Sequence, residues 1–133
     1  MRSDRIGTWK LNPAKSKYKS GAPAKEATIV ITEKGDDLDV NITGVAADGT
    51  PIASHYTVPT KGGAGKIIQS PYEGISSKRP SANKRELSYM KGGKVVYTAT
   101  PTLSADGKTM TAPLKGTDAA GKSVEGTAVY EKQ

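Results

Sequence analysis

The side chains best suited to hold another molecule are tyrosines and arginines. Tyr56, Tyr89, Tyr97 and Tyr130 each occupy an alternating position in a short run that also carries Ile, Leu, Val or Ala. If those faces point inward, their phenol hydroxyls line one space. A buried hydroxyl needs a hydrogen-bond partner. A polar ligand would supply it, and so would another hydroxyl or water in a filled interior. The sequence leaves both open. Arg79 and Arg85 flank the turn at Pro80. Arg85 shares a face with Leu87 and Tyr89, and an inward guanidinium there would favour an anionic ligand. The usual exposure of arginine favours a solvated pair instead.

Other reactive residue types are sparse. His55 is the single histidine and falls on the face opposite Tyr56, so it is expected to point outward. No Asp, Glu or Ser is placed by motif to pair with it, so a catalytic triad is not expected. One histidine and no cysteine make a poor metal site and exclude disulfides. Asp36, Asp37 and Asp39 lack the spacing of a calcium loop and read as a solvated turn. Trp9, the only tryptophan, reads as a core plug. No cofactor and no enzymatic activity are expected.

These residues sit on strands. Thr8 to Leu11 opens the series. Ala14 to Glu26 has no apolar periodicity and reads as a loop with at most a short helical turn. Ile29 and Ile31 then share a face, as do Leu38, Val40 and Ile42, and as do Ile52, Ser54, Tyr56 and Val58. Lys66 to Gln69 and Ile75 to Arg79 are shorter runs. Arg85, Leu87 and Tyr89 alternate, then Val95, Tyr97 and Ala99. Thr109 to Lys115 contains Pro113, which predicts a bulge or an edge position. Lys122 to Lys132 closes the chain. Asp48-Gly49, Gly92-Gly93, Asp106-Gly107 and Ala120-Gly121 mark turns. About ten strands at roughly ten-residue spacing predict an all-β fold. With short turns, strands adjacent in sequence should be adjacent in space. The expectation is a single domain over residues 1–133: an antiparallel up-and-down β-barrel of eight to ten strands, without a substantial helical lid.

The chain carries a net charge of +7. Many lysines fall beside turn residues: Lys34, Lys61, Lys66, Lys91, Lys94, Lys108, Lys115 and Lys122. That pattern reads as a solvated rim rather than a nucleic-acid surface. No run is long enough for a transmembrane helix. No apolar stretch follows Met1-Arg2-Ser3-Asp4-Arg5, so no signal peptide is read there. The compartment stays open; a secreted or periplasmic domain with its leader removed would look the same.

The two ends of the chain carry a resemblance. Gly7-Thr8-Trp9-Lys10-Leu11 resembles the opening strand of the calycins, which include lipocalins and fatty-acid-binding proteins. Thr127 to Lys132 resembles the closing strand of the fatty-acid-binding branch. The opening, together with Lys91 to Val96, is similar to small lipocalin-like proteins of soil bacteria. The resemblance implies a barrel that holds a small hydrophobic or amphipathic ligand, acting as a monomer. Two departures are clear. Residues 14–26 are too short for the family's helical lid. The family's Arg-x-Tyr pair on the last strand is here Ala128 and Tyr130, so its carboxylate site does not carry over. Neutral or weakly polar ligands are therefore expected to bind better than fatty acids. The candidate ligand-binding set is Tyr56, Arg85, Leu87, Tyr89, Tyr97, Ala128 and Tyr130. The alternative is a filled interior and a protein that acts through its basic outer surface.

Overall fold

The computed structural model describes residues 5–118 and 121–133. The leader reading of residues 1–4 and one half of the Ala120-Gly121 turn lie outside them. The described chain is all-β. Its thirteen strands are β1 (Gly7–Leu11), β2 (Lys17–Ser20), β3 (Glu26–Lys34), β4 (Asp37–Val45), β5 (Pro51–Pro59), β6 (Gly63–Ala64), β7 (Lys66–Gln69), β8 (Gly74–Ser81), β9 (Lys84–Lys91), β10 (Lys94–Ala99), β11 (Thr102–Leu103), β12 (Thr109–Thr117) and β13 (Ser123–Lys132). Ten of them answer to the runs expected from alternation. The additions, β2, β6 and β11, are two to four residues long.

All the strands belong to one antiparallel sheet, ordered β6-β8-β9-β10-β12-β13-β1-β3-β4-β5-β7. The opening and closing strands pair as expected, with Trp9 opposite Lys132 and Leu11 opposite Tyr130. On its other side β1 pairs with β3. The two ends of the sheet approach each other. β5 and β7 lie against β8, and Gly65 N–H donates to Ile75 C=O at 2.8 Å. Only glycine permits this approach: a Cβ at position 65 would lie 2.9 Å from side-chain carbons of both Ile75 and Val58.

Local chemistry sets the turns. Gly92 and Gly93 both have positive φ, at 60° and 75°, so a two-residue turn joins β9 to β10. Asp48 closes the β4–β5 loop by accepting from Thr50 N–H and Oγ1–H. The turn-flanking lysines are all exposed.

Three expectations need correction. Residues 14–26 are not all loop. One helical turn, with Ser16 N–H donating to Asn12 C=O, leads into β2, which pairs with β13 at Gly126 and Thr127. Lys17-Tyr18-Lys19-Ser20 has one apolar ring and so no visible period; the free edge of β13 makes it a strand. Pro113 makes neither a bulge nor an edge. β12 runs in unbroken register along β13 and pairs with β10 and β11 on the other side. Pro113 C=O accepts from Thr100 N–H. Its nitrogen faces the same side, where the gap between β10 and β11 asks for no donor. Val95 does not share the inner face with Tyr97. The ladder slips between them, and Val95 is 55% exposed.

The core runs down the middle of the curled sheet. Trp9, Ile31, Leu38, Val40, Tyr56, Val58, Ile75, Leu87, Tyr89, Ala99, Leu103 and Met110 form one buried cluster.

Candidate functional site

A cavity of about 290 Å³ opens inside the curl, at the lower end of ligand-pocket sizes. Its aliphatic wall comes from β3, β4 and β5: Ile29, Ile31, Leu38, Val40, Ile42 and Ile52. These are the residues whose period-two spacing put them on one face. Tyrosines complete the lining. Tyr18, Tyr56, Tyr72, Tyr89, Tyr97 and Tyr130 all line the cavity, and they are all the tyrosines in the chain. A larger, more open depression of about 580 Å³ has Lys17, Lys19 and Lys115 at its edge. It offers no enclosing apolar wall, so the inner cavity is the candidate site.

The tyrosines form a connected array. Tyr56 and Tyr89 hydroxyls are hydrogen-bonded at 3.0 Å, with their rings edge-on. Tyr72 and Tyr97 are nearly parallel, 9° apart, with centroids 5.9 Å from each other. Tyr89 leans on both. Burial pushes every phenol up from its ordinary value: Tyr72 to about 12, and Tyr56, Tyr89, Tyr97, Tyr130 and Tyr18 upward too. All six are protonated hydrogen-bonding groups at neutral pH.

Arg85 is where the ordinary expectation fails. It is buried, at 4% exposure, whereas Arg79 is exposed. Its place on the Leu87–Tyr89 face of β9 carries it inward. Nη1 donates to Ser77 Oγ at 2.6 Å and to Pro59 C=O at 3.1 Å; Nη2 donates to Thr60 C=O at 2.8 Å. Its buried Nε–H has no acceptor. Desolvation, then the charge of Arg79, lowers its pKa.

Arg5 reaches the cavity from the chain's start, and nothing in the sequence pattern marked it. Its Nη2 donates to Pro101 C=O at 2.8 Å and to Asn83 C=O at 3.0 Å. Its backbone C=O accepts from Trp9 Nε1–H at 2.9 Å. Desolvation, with help from Arg85 and Arg79, lowers its pKa to about 10.

Of the seven expected site residues, Tyr56, Arg85, Leu87, Tyr89, Tyr97 and Tyr130 line the cavity. Ala128 is buried in the sheet opposite Ala112 but is not part of the lining. Tyr18 and Tyr72 were missed because each stands in a segment without apolar alternation.

His55 has a partner after all. Asp39 Oδ1 lies 2.7 Å from His55 Nε2, and Asn41 Nδ2–H donates to Asp39 Oδ2. Nor is Asp39 a solvated turn residue; it is buried, at 8% exposure. The three residues stand on the outer face, on paired strands β4 and β5, away from the cavity lining. Among the described residues no three of His, Asp and Glu are grouped as a metal ion would need, and no helix is long and apolar enough to cross a membrane.

No protein-family model matches this chain, and no curated protein sequence matches it. The functional reading therefore rests on the cavity's own chemistry.

Proposed function

We propose that the curled sheet is a closed antiparallel barrel of the calycin kind, and that it works by binding a small, partly apolar molecule inside it. The pairing of β1 with both β3 and β13 supports closure on one side. The Gly65–Ile75 hydrogen bond and the clasp of Arg85 on the Pro59–Thr60 carbonyls support it on the other. The observation that carries the binding reading is the lining itself: aliphatic side chains of β3, β4 and β5 together with six tyrosines. Apolar burial would supply affinity, at about 25 cal/mol per Å². Phenol hydroxyls would fix orientation without burying an unpaired charge. Their raised pKa values favour hydrogen bonding over nucleophilic chemistry, which suits a binder rather than an enzyme.

The test is titration with N-phenyl-1-naphthylamine, a neutral fluorescent probe of apolar cavities. Saturable binding is expected, and Leu114→Trp, which fills the half-buried end of the cavity, should weaken it at least tenfold. If no probe binds, or if binding is indifferent to Leu114→Trp, the interior is not the site and the basic outer surface becomes the better candidate.

A further inference from the structure

We propose that the cavity takes a small aromatic acid, with its anionic group against Arg85 and its ring plane along the Tyr72–Tyr97–Tyr89 wall. This rests on the binding reading above and narrows it to one ligand class.

The anion follows from Arg85. A guanidinium at 4% exposure has left bulk water almost completely, and a buried charge needs compensation. Among the described residues that line the cavity there is no Asp or Glu. The three acceptors of Arg85 are two backbone carbonyls and a serine hydroxyl, all neutral. Its Nε–H is left with nothing. Tyr56 lies within electrostatic reach of the guanidinium, and the Tyr56 hydroxyl is already tied to that of Tyr89. A carboxylate arriving here would meet a fixed cation and two protonated phenols. Charge-assisted hydrogen bonds of this kind are roughly twice as strong as neutral ones. This cation comes from β9. The last strand offers only Ala128 and Tyr130 at its corresponding positions.

The aromatic body follows from the wall. Tyr72 and Tyr97 lie nearly parallel, and Tyr89 packs at a tilt to both. Flat rings meet such a surface with offset or edge-on contacts, beyond what area burial alone provides. The cavity's 290 Å³ also favours a compact ring system over a long chain.

The experiment compares biphenyl-4-carboxylate with biphenyl-4-carboxamide, which differ in charge and hardly in shape, by calorimetry on the whole chain. The acid should bind about tenfold tighter or more, the range for a charge-assisted bond. The preference should persist in high salt, because a buried partner is screened far less than surface lysines. It should disappear in Arg85→Gln while the amide still binds. If Arg85→Gln does not fold, the wild-type salt and pH series decides, since the acid must fall to the amide's affinity below its own pKa. Equal binding of acid and amide, or a preference abolished by salt, overturns the assignment to Arg85 and leaves the binding reading intact. Tighter binding of dodecanoate than of the biphenyl acid overturns the aromatic half. If neither biphenyl binds while the neutral naphthylamine does, the inference alone fails. If none of the three binds, the binding reading fails with it.

Discussion

At one end of the cavity the side chains are locked; at the other they are half-exposed. The turns at 35–36, 59–65 and 82–83 gather at the first end. There Trp9 is at 0% exposure, Tyr56 and Val58 are at 2%, and Arg5 and Arg85 hold backbone carbonyls of neighbouring segments. The second end lies near 46–50, 70–73 and 92–93. Tyr18, Ile52, Tyr72, Tyr97 and Leu114 line the cavity there, and all are only half-buried. The contrast separates two jobs. The Trp9 end spends hydrogen bonds and apolar area on holding strands together. The Tyr72 end leaves its rings half-exposed, as the proposed binding requires. Apart from Arg85, whose part in ligand choice is argued above, perturbations at the first end should register chiefly as stability, and at the second chiefly as binding.

The largest effect expected is alkaline unfolding. Tyr56, Tyr89, Tyr97 and Tyr130 have raised pKa values because they are buried. Above pH 10 the unfolded chain loses those protons while the folded chain keeps them. Stability is then fully present below about pH 10 and falls as pH rises, by about 1.4 kcal/mol per pH unit for each phenol. Arg5 works the other way, since its folded pKa of about 10 lies below the unfolded value, and Arg85 shifts in the same direction as Arg5. The shifted phenols outnumber the two arginines, so the balance is a loss of stability as pH rises, against a total of about 5–15 kcal/mol for an ordinary domain. Circular dichroism and tyrosinate absorbance should change together between about pH 10 and 12. Phenols that ionise while strand structure persists would show that the inner end is as open as the outer one.

Trp9→Ala should come next, at about 3–5 kcal/mol. It removes a wholly buried ring and the hydrogen bond to Arg5 C=O. A urea midpoint shifted by less than about 1 kcal/mol equivalent would contradict the locked end.

The two ends were not equally legible in the sequence. The aliphatic wall was plain, because Ile29/Ile31, Leu38/Val40/Ile42 and Ile52/Tyr56/Val58 alternate cleanly and hairpin pairing keeps their register. The pairing of Trp9 with the last strand was legible for a different reason: the expected closure left β1 no other partner on that side. Arg85 was legible as a position on the Leu87–Tyr89 face but not as a buried side chain, since composition statistics favour exposure and only the turn carbonyls at Pro59 and Thr60 make burial tolerable. Asp39 and His55 sit two register positions apart across β4 and β5, a diagonal contact that no linear motif encodes. Tyr18 and Tyr72 were invisible because their placement is tertiary: one lies on a strand made by its partner, the other in the 70–73 connection.

Tyr72→Phe is the smallest effect and the sharpest test of the contrast. The ring stays, so the stack on Tyr97 and the contact with Tyr89 should persist. What goes is one exposed hydrogen bond, from the Tyr72 hydroxyl to Thr117 C=O at 3.2 Å, which ties the 70–73 connection to the end of β12. A bond of this kind contributes about 0.5–1.5 kcal/mol when buried and less when water can replace it. Denaturation should therefore shift by well under 1 kcal/mol equivalent. Tyr72 itself lines the half-exposed end of the cavity, so loosening its tether should speed probe release in stopped-flow measurements more than it alters stability. A loss of stability comparable to that of Trp9→Ala would mean the Tyr72 end is as structural as the other, and the division of labour between them would collapse.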